Sequence, residues 1–289
     1  MDLSFLTRTV IFLFSEDRIP LGTAFVVEYP LPDNSSQVVP LVVTAKHVVG
    51  DRVKVLGRFS RLDGQATAYV PYDLDGLRNR GDLWEHKDET VDIVVFRTPH
   101  YGEASYRRIP MGWIASEDIF EAEEIAEGDR VVFAALLQGF YGSAANYPVV
   151  IDATLALLPQ EPIPLKYRVG NREIETKQRL ILLSGHSFQG ASGGPVFLWP
   201  GPRTKKGTLH VGGVVPYLIG LMHGFYCAPP REVQVGLTSP PSGLSGTDAA
   251  RLAWQFAENA GIAIVFPSWL LLDILRSETL RARIRELVG

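Results

Sequence analysis

The sequence predicts an all-β protein built as two antiparallel six-stranded barrels, with one inserted helix and one C-terminal helix. Two groups of about six short segments, rich in Val, Ile, Phe, Tyr and Thr, occupy residues 9–98 and 130–267. Turn-forming runs such as PLPDNSS (30–36) and LDG (62–64) separate the segments within a group. From about residue 99 to 127 the chain turns polar and acidic, with YGEASYRRIPMGWIASEDIFEAEEIAE at its heart, and reads as a crossing between the groups. Regular short strands with polar turns argue for barrels over a parallel sheet.

In chain order the first group is TVIFLFSE (9–16), GTAFVVEYP (22–30), VVPLVVTAKHVV (38–49), RVKVLGRF (52–59), ATAYVPY (66–72) and DIVVFRT (92–98). The second is RVVFAALLQGF (130–140), PVVIDATLALLP (148–159), RLILLSG (179–185), GGPVFLW (193–199), HVGGVVPYLIGLMHG (210–224) and GIAIVFP (261–267). This divides the chain into an N-terminal barrel (1–105), a linker (106–127) and a C-terminal barrel (128–289). The Pro/Gly/Ser-rich stretch 228–246 reads as a surface loop, and 247–261 as a helix with Thr247 as N-cap, together an insertion at 228–260. The tail 267–289 carries apolar residues at helical spacing and is expected to pack on the second barrel.

The chain has 289 residues, 46% hydrophobic and 21% charged, enough to build a substantial core. A net charge of −4 without a basic block argues against nucleic acid as a partner. The N-terminal MDLSFLTRTVIFLFSED lacks the basic start and continuous apolar run of a signal peptide, and no stretch is long enough to span a membrane. The single cysteine, Cys227, permits no internal disulfide. Together these lead to the expectation of a cytoplasmic protein with no membrane partner.

Chemistry concentrates in GHSFQGASGGPVF (185–197). Ser192 satisfies G-x-S-x-G, which fits a nucleophile elbow or merely a tight glycine turn. A nucleophilic serine needs a base and an acid. Of the six histidines, His47 ends an apolar strand, where it serves either as a base or as a strand-capping side chain satisfied by backbone. Asp92 opens the apolar IVVF and is expected to be partly buried, so it needs a partner such as an imidazole N–H. The order His47, Asp92, Ser192 excludes the α/β-hydrolase order, because no acidic residue lies between Ser192 and His210 or His223. No histidine pair has metal-ligand spacing, so neither a metal nor another cofactor is expected.

Three blocks in this order, GTAFVVEY with VVTAKHVV, then VDIVVF, then FQGASGGPV, make the chain resemble chymotrypsin-like (trypsin-fold) serine proteases. The likeness is to the bacterial branch that includes Deg-type proteases and glutamyl endopeptidases. The resemblance implies a serine endopeptidase in which Ser192 is the nucleophile, His47 the base and Asp92 the acid. It implies an oxyanion hole formed by the backbone N–H groups of Gly190 and Ser192, and a groove strand, PYLIGLMHGF, that pairs with an extended protein or peptide substrate. Ala191 stands where the digestive enzymes carry an Asp, so activation by N-terminal cleavage is not expected.

The resemblance also implies an S1 pocket near His186, Ser187 and His223, a set suited to an acidic P1 side chain; no acid near residue 186 supports a Lys/Arg preference. The alternative reading is a catalytically silent or partner-activated peptide-binding module, and either reading leaves room for a regulatory protein partner.

Overall fold

The computed structural model describes residues 4–31, 34–61, 63, 65, 69–99, 106–158, 160–199, 201–205, 208–210, 215–227 and 259–288. The predicted helix at 247–261 falls outside them except for its last three residues, which begin a strand.

After a first helical turn, α1 (Ser4–Thr9), the first half contains β1 (Val10–Phe14), β2 (Pro20–Leu31) and β3 (Asn34–Thr44). The turn α2 (Lys46–Val49) follows, then β4 (Lys54–Arg58), β5 (Val70–Asp73), α3 (Leu74–Asn79), β6 (Leu83–Glu85) and β7 (Val94–Arg97). The short β8 (Ile109–Pro110) adds parallel to β2. The strands run β5-β4-β1-β2-β3-β7-β6 in a curled eight-stranded sheet, and its edges do not meet by hydrogen bonds. Instead α3, capped by Asp73 and burying Leu74 and Leu77, packs against β4 and β5 at one edge and β6 at the other. A helix thus covers both edges where a further strand pairing would have closed a barrel.

Past the crossing helix α4 (Glu117–Ala122), the second half contains β9 (Arg130–Ala135) and β10 (Val149–Leu157). A hairpin of β11 (Ile163–Val169) and β12 (Arg172–Gln178) follows, then β13 (Ile181–Ser184) and β14 (Pro195–Leu198). A second hairpin, β15 (Arg203–Lys205) and β16 (Thr208–His210), precedes β17 (Leu218–Cys227) and β18 (Asn259–Pro267). Six of these close the barrel β10-β13-β18-β17-β14-β9, one strand from each of the six segments expected from sequence. The two hairpins stand outside it.

Side-chain alternation explains how the halves adhere. Along β9 and the residue after it, Val131, Phe133 and Ala135 fill the barrel, whereas Val132, Ala134 and Leu136 join the core of the first sheet. Val196 and Leu198 on β14 point inward and Phe197 outward, and on β17 Ile219 and Met222 oppose Leu218 and Leu221. With both faces covered, such strands read as continuous apolar runs.

The C-terminal tail departs from expectation. It forms two helices, α5 (Ser268–Leu275) and α6 (Glu278–Val288), broken at Arg276 and restarted by Ser277, whose hydroxyl accepts from Leu280 N–H. Although α5 touches β17 and β18 of the barrel, the pair also straps onto the first sheet. Leu275, Leu280 and Ile284 lie in the core shared with that sheet, and Arg283 Nε donates to Asp82 Oδ1 at 2.9 Å. Asp82 is fully buried, with Arg97 on its other oxygen at 3.1 Å. Removing this charge should loosen the strap. Asp82→Asn is expected to cost about 2 kcal/mol, the scale of a hydrogen bond to a charged group, and urea unfolding would read it.

Candidate active site

His47 sits in the second position of α2, the single turn that ends β3, where sequence had suggested continuous strand to residue 49. Because Thr44 pairs with Val94, the residues just before β7 lie beside this turn. Asp92 therefore faces His47 and grips it at two points. The His47 backbone N–H donates to Asp92 Oδ1 at 2.9 Å, and His47 Nδ1 lies 2.6 Å from Oδ2.

The Asp92 side chain is fully buried. Burial opposes its ionisation, yet the His47 charge and the hydrogen bonds from His223 and His47 outweigh it and hold the carboxyl well below the usual range. Burial likewise works against protonation of His47, but the Asp92 charge and hydrogen bond leave its pKa raised above the ordinary value. An ionised carboxylate only accepts, so His47 carries a proton on Nδ1 and, when neutral, presents Nε2 as a lone pair.

Ser192 lies in the turn between β13 and β14, and Thr23 of β2 pins that turn from the other half of the molecule. Thr23 N–H donates to Ser192 C=O at 2.8 Å, and Thr23 Oγ1 donates to Gly190 C=O at 2.6 Å while accepting from Leu136 N–H at 2.9 Å. Thr44 Oγ1 in turn donates to Thr23 C=O at 2.7 Å. Gly193, at φ +84°, packs so closely that a Cβ would stand 2.0 Å from Thr23 O. Gly190, at φ +99°, turns its main chain likewise. Among the described residues, the N–H groups of Gly190 and Ser192 have no partner within the protein.

The predicted residues do not all meet as expected. Ser192 Oγ donates to the His223 carbonyl at 2.7 Å, and among the described residues no hydrogen bond joins it to His47. Of the proposed S1 set, His186 is exposed and Ser187 buried. The His223 imidazole is instead turned to the acid, with Nδ1 2.6 Å from Asp92 Oδ2. The physical reason is a bulge: β17 pairs Met222 with Val265 and Gly224 with Ile264, leaving His223 as the extra residue, re-aimed out of the ladder. His47, Asp92 and His223 bring potential metal-binding atoms together, but at 2.6 Å the imidazole–carboxylate contacts are hydrogen bonds.

Sequence reasoning missed three features. Thr23 lies inside the GTAF block but was not given the task of joining the halves. Tyr167, on the unanticipated β11–β12 hairpin, packs its ring 5.0 Å from that of His223 and donates its hydroxyl to Thr90 C=O at 2.8 Å. Gln178 of the same hairpin donates to Asp88 Oδ2 and Thr90 Oγ1, so the hairpin clamps the loop that carries Asp92.

No protein-family model matches the chain, and no curated protein matches it in sequence. Among solved structures, one match is an HtrA-type protease, AlgW, with a decapeptide, at 13% identity and a TM-score of 0.48. The match covers 98% of this chain and 66% of that one, so this chain spans just under two thirds of its neighbour. No helix among the described residues is long and apolar enough to cross a membrane.

Two measurements follow from this geometry. Gly193→Ala must relieve both a positive φ and a backbone clash, and is expected to cost more than about 2 kcal/mol. At Gly112, where a Cβ meets nothing within 4 Å, the same change should stay within about 0.5 kcal/mol, and thermal unfolding of both tests the contrast. Asp92, with its folded pKa lowered, contributes stability that is complete above its unfolded value near 4 and lost as pH falls below it. The stability gap between wild type and Asp92→Asn should therefore be widest near neutral pH and narrow in acid.

Proposed function

We propose that the chain is a serine endopeptidase in which Ser192 is the nucleophile, His47 the general base and Asp92 the acid that orients it. The observation that carries this reading is the two-point hold of a buried, ionised Asp92 on His47, which leaves Nε2 as the basic atom. Ser192 Oγ would attack the scissile carbonyl carbon as His47 Nε2 takes the hydroxyl proton. The oxyanion so formed would be met by the open N–H groups of Gly190 and Ser192. His47 would return the proton to the leaving amine, and water would then cleave the acyl-enzyme by the same route. With His47 raised above its ordinary value near 6.5, activity should fall as pH drops through a midpoint above that value.

An extended peptide suits the site because β17 runs beside Ser192 and its bulge frees a backbone carbonyl. A Lys/Arg preference at P1 stays disfavoured, and an acidic P1 remains the preference proposed, with exposed His186 as its first contact. The protein is placed in the Deg/glutamyl-endopeptidase-like bacterial branch as part of this reading, with a cytoplasmic location.

One observation favours a second reading, a partner-activated or silent peptide-binding module. The Ser192 proton rests on the His223 carbonyl instead of the base. A fluorescent fluorophosphonate separates the two. Labelling of wild type at Ser192, lost in Ser192→Ala and reduced at least about 10³-fold in His47→Ala, is expected of the endopeptidase. A folded wild type that stays unlabelled would favour the module.

A further inference from the structure

His223 is a second histidine on the carboxylate already bound by His47. Both Nδ1 atoms lie 2.6 Å from the same oxygen, Asp92 Oδ2, and the two rings meet edge to face at 5.0 Å. The His223 ring is enclosed: Tyr167 lies 5.0 Å away, Phe266 5.4 Å, and its side chain is only 9% exposed. It cannot swing aside without leaving that pocket. The titratable groups facing it are His47 on α2, Asp92 on the loop before β7, and Tyr167 on β11, with Asp88 beyond Tyr167. Phe266 on β18 brings no charge. Burial and the charges of Asp92 and Asp88 raise the Tyr167 hydroxyl, so it stays neutral, and among the described residues Asp92 is the anion in contact with both imidazoles.

One carboxylate can balance one imidazolium, not two. A proton on either ring therefore lowers the affinity of the other for its own, and even a neutral His223 draws on the oxygen that supports His47. We propose that His223 is a positioning residue that shares Asp92 with His47 and thereby holds down the basicity of His47. The inference rests on the reading of His47 and Asp92 as base and acid, and adds a tuning group to it. Its consequence is a base that stays unprotonated, and so able to accept a proton, to lower pH than Asp92 alone would allow.

The test is a histidine titration by NMR, following the Cε1–H signals of labelled protein, with assignment by the single variants. In wild type, the His47 signal should titrate in two steps. His223→Phe keeps an aromatic ring against Tyr167 and Phe266 and should raise the His47 midpoint by about one unit. His223→Gln, whose amide can still donate to Asp92, should return it toward the wild-type value. A His47 titration in one step, with the same midpoint in all three proteins, would overturn the proposal. Should His223→Phe fail to fold, the wild-type inflections decide alone: their presence supports the coupling and their absence sinks it. Fluorophosphonate labelling, run in parallel, keeps the two claims apart. A shifted His47 without labelling leaves the tuning intact and removes the endopeptidase; labelling with an unshifted His47 does the reverse.

Discussion

A carboxylate with no access to water is tolerated only where donors replace its lost hydration, and Asp92 obtains all of them from elsewhere in the fold. Two come from His47, by backbone and by ring, and a third from His223 on the opposite half. The anion thus sits where the curled sheet meets the closed barrel and draws a group from each. Much of the surrounding architecture serves that placement. The β11–β12 hairpin leaves the barrel to lay Tyr167 over His223, and it uses Gln178 to hold Asp88 and Thr90, upstream of Asp92. Removing one donor would leave a buried charge undersupplied, which is why the site and the seam between the halves are energetically one unit.

Thr23 plays the matching part for the turn that carries Ser192. Its backbone N–H, carbonyl and hydroxyl engage four partners in β3, β9's continuation and the turn itself, so the first sheet fixes the conformation of a loop belonging to the second half. Two glycines at positive φ allow that close packing, and at each a Cβ would meet a backbone oxygen. The outcome is a turn whose Gly190 and Ser192 N–H groups are left open while its carbonyls are consumed. In the proposed reaction, donors preorganised in this way would cost nothing to arrange as charge develops.

Within this frame, the Ser192 hydroxyl is directed away from His47. It rests on the His223 carbonyl, an acceptor made available because His223 bulges out of the β17–β18 ladder. In the proposed reaction that hydroxyl must turn to a base, and rotations about a single side-chain bond are fast and inexpensive. His223 is thus tied to both ends of the proposed machinery, by its imidazole to the acid and by its carbonyl to the nucleophile. The dynamics that matter here are those of a side chain, and the β-bulge is what makes them consequential.

The family resemblance implied that His47 and Asp92 meet, and the sequence by itself determined the strand content and the division into two groups. The last two depend on local pattern: β-branched and aromatic runs between turn residues. All six strands of the barrel were legible this way. The open edge of the first sheet was not, because whether a sheet closes depends on pairing between residues distant in sequence, and α3 took the place of that pairing. Nor was the strap of α5 and α6 legible, since an amphipathic tail states that one face is buried without naming the surface that buries it. His223 shows the limit most clearly. Its position on a strand near the serine was readable, and it was assigned to the substrate pocket. Only the tertiary structure decided that a one-residue bulge turns its side chain to Asp92, because a bulge is a mismatch between two strands and leaves no mark on either strand alone.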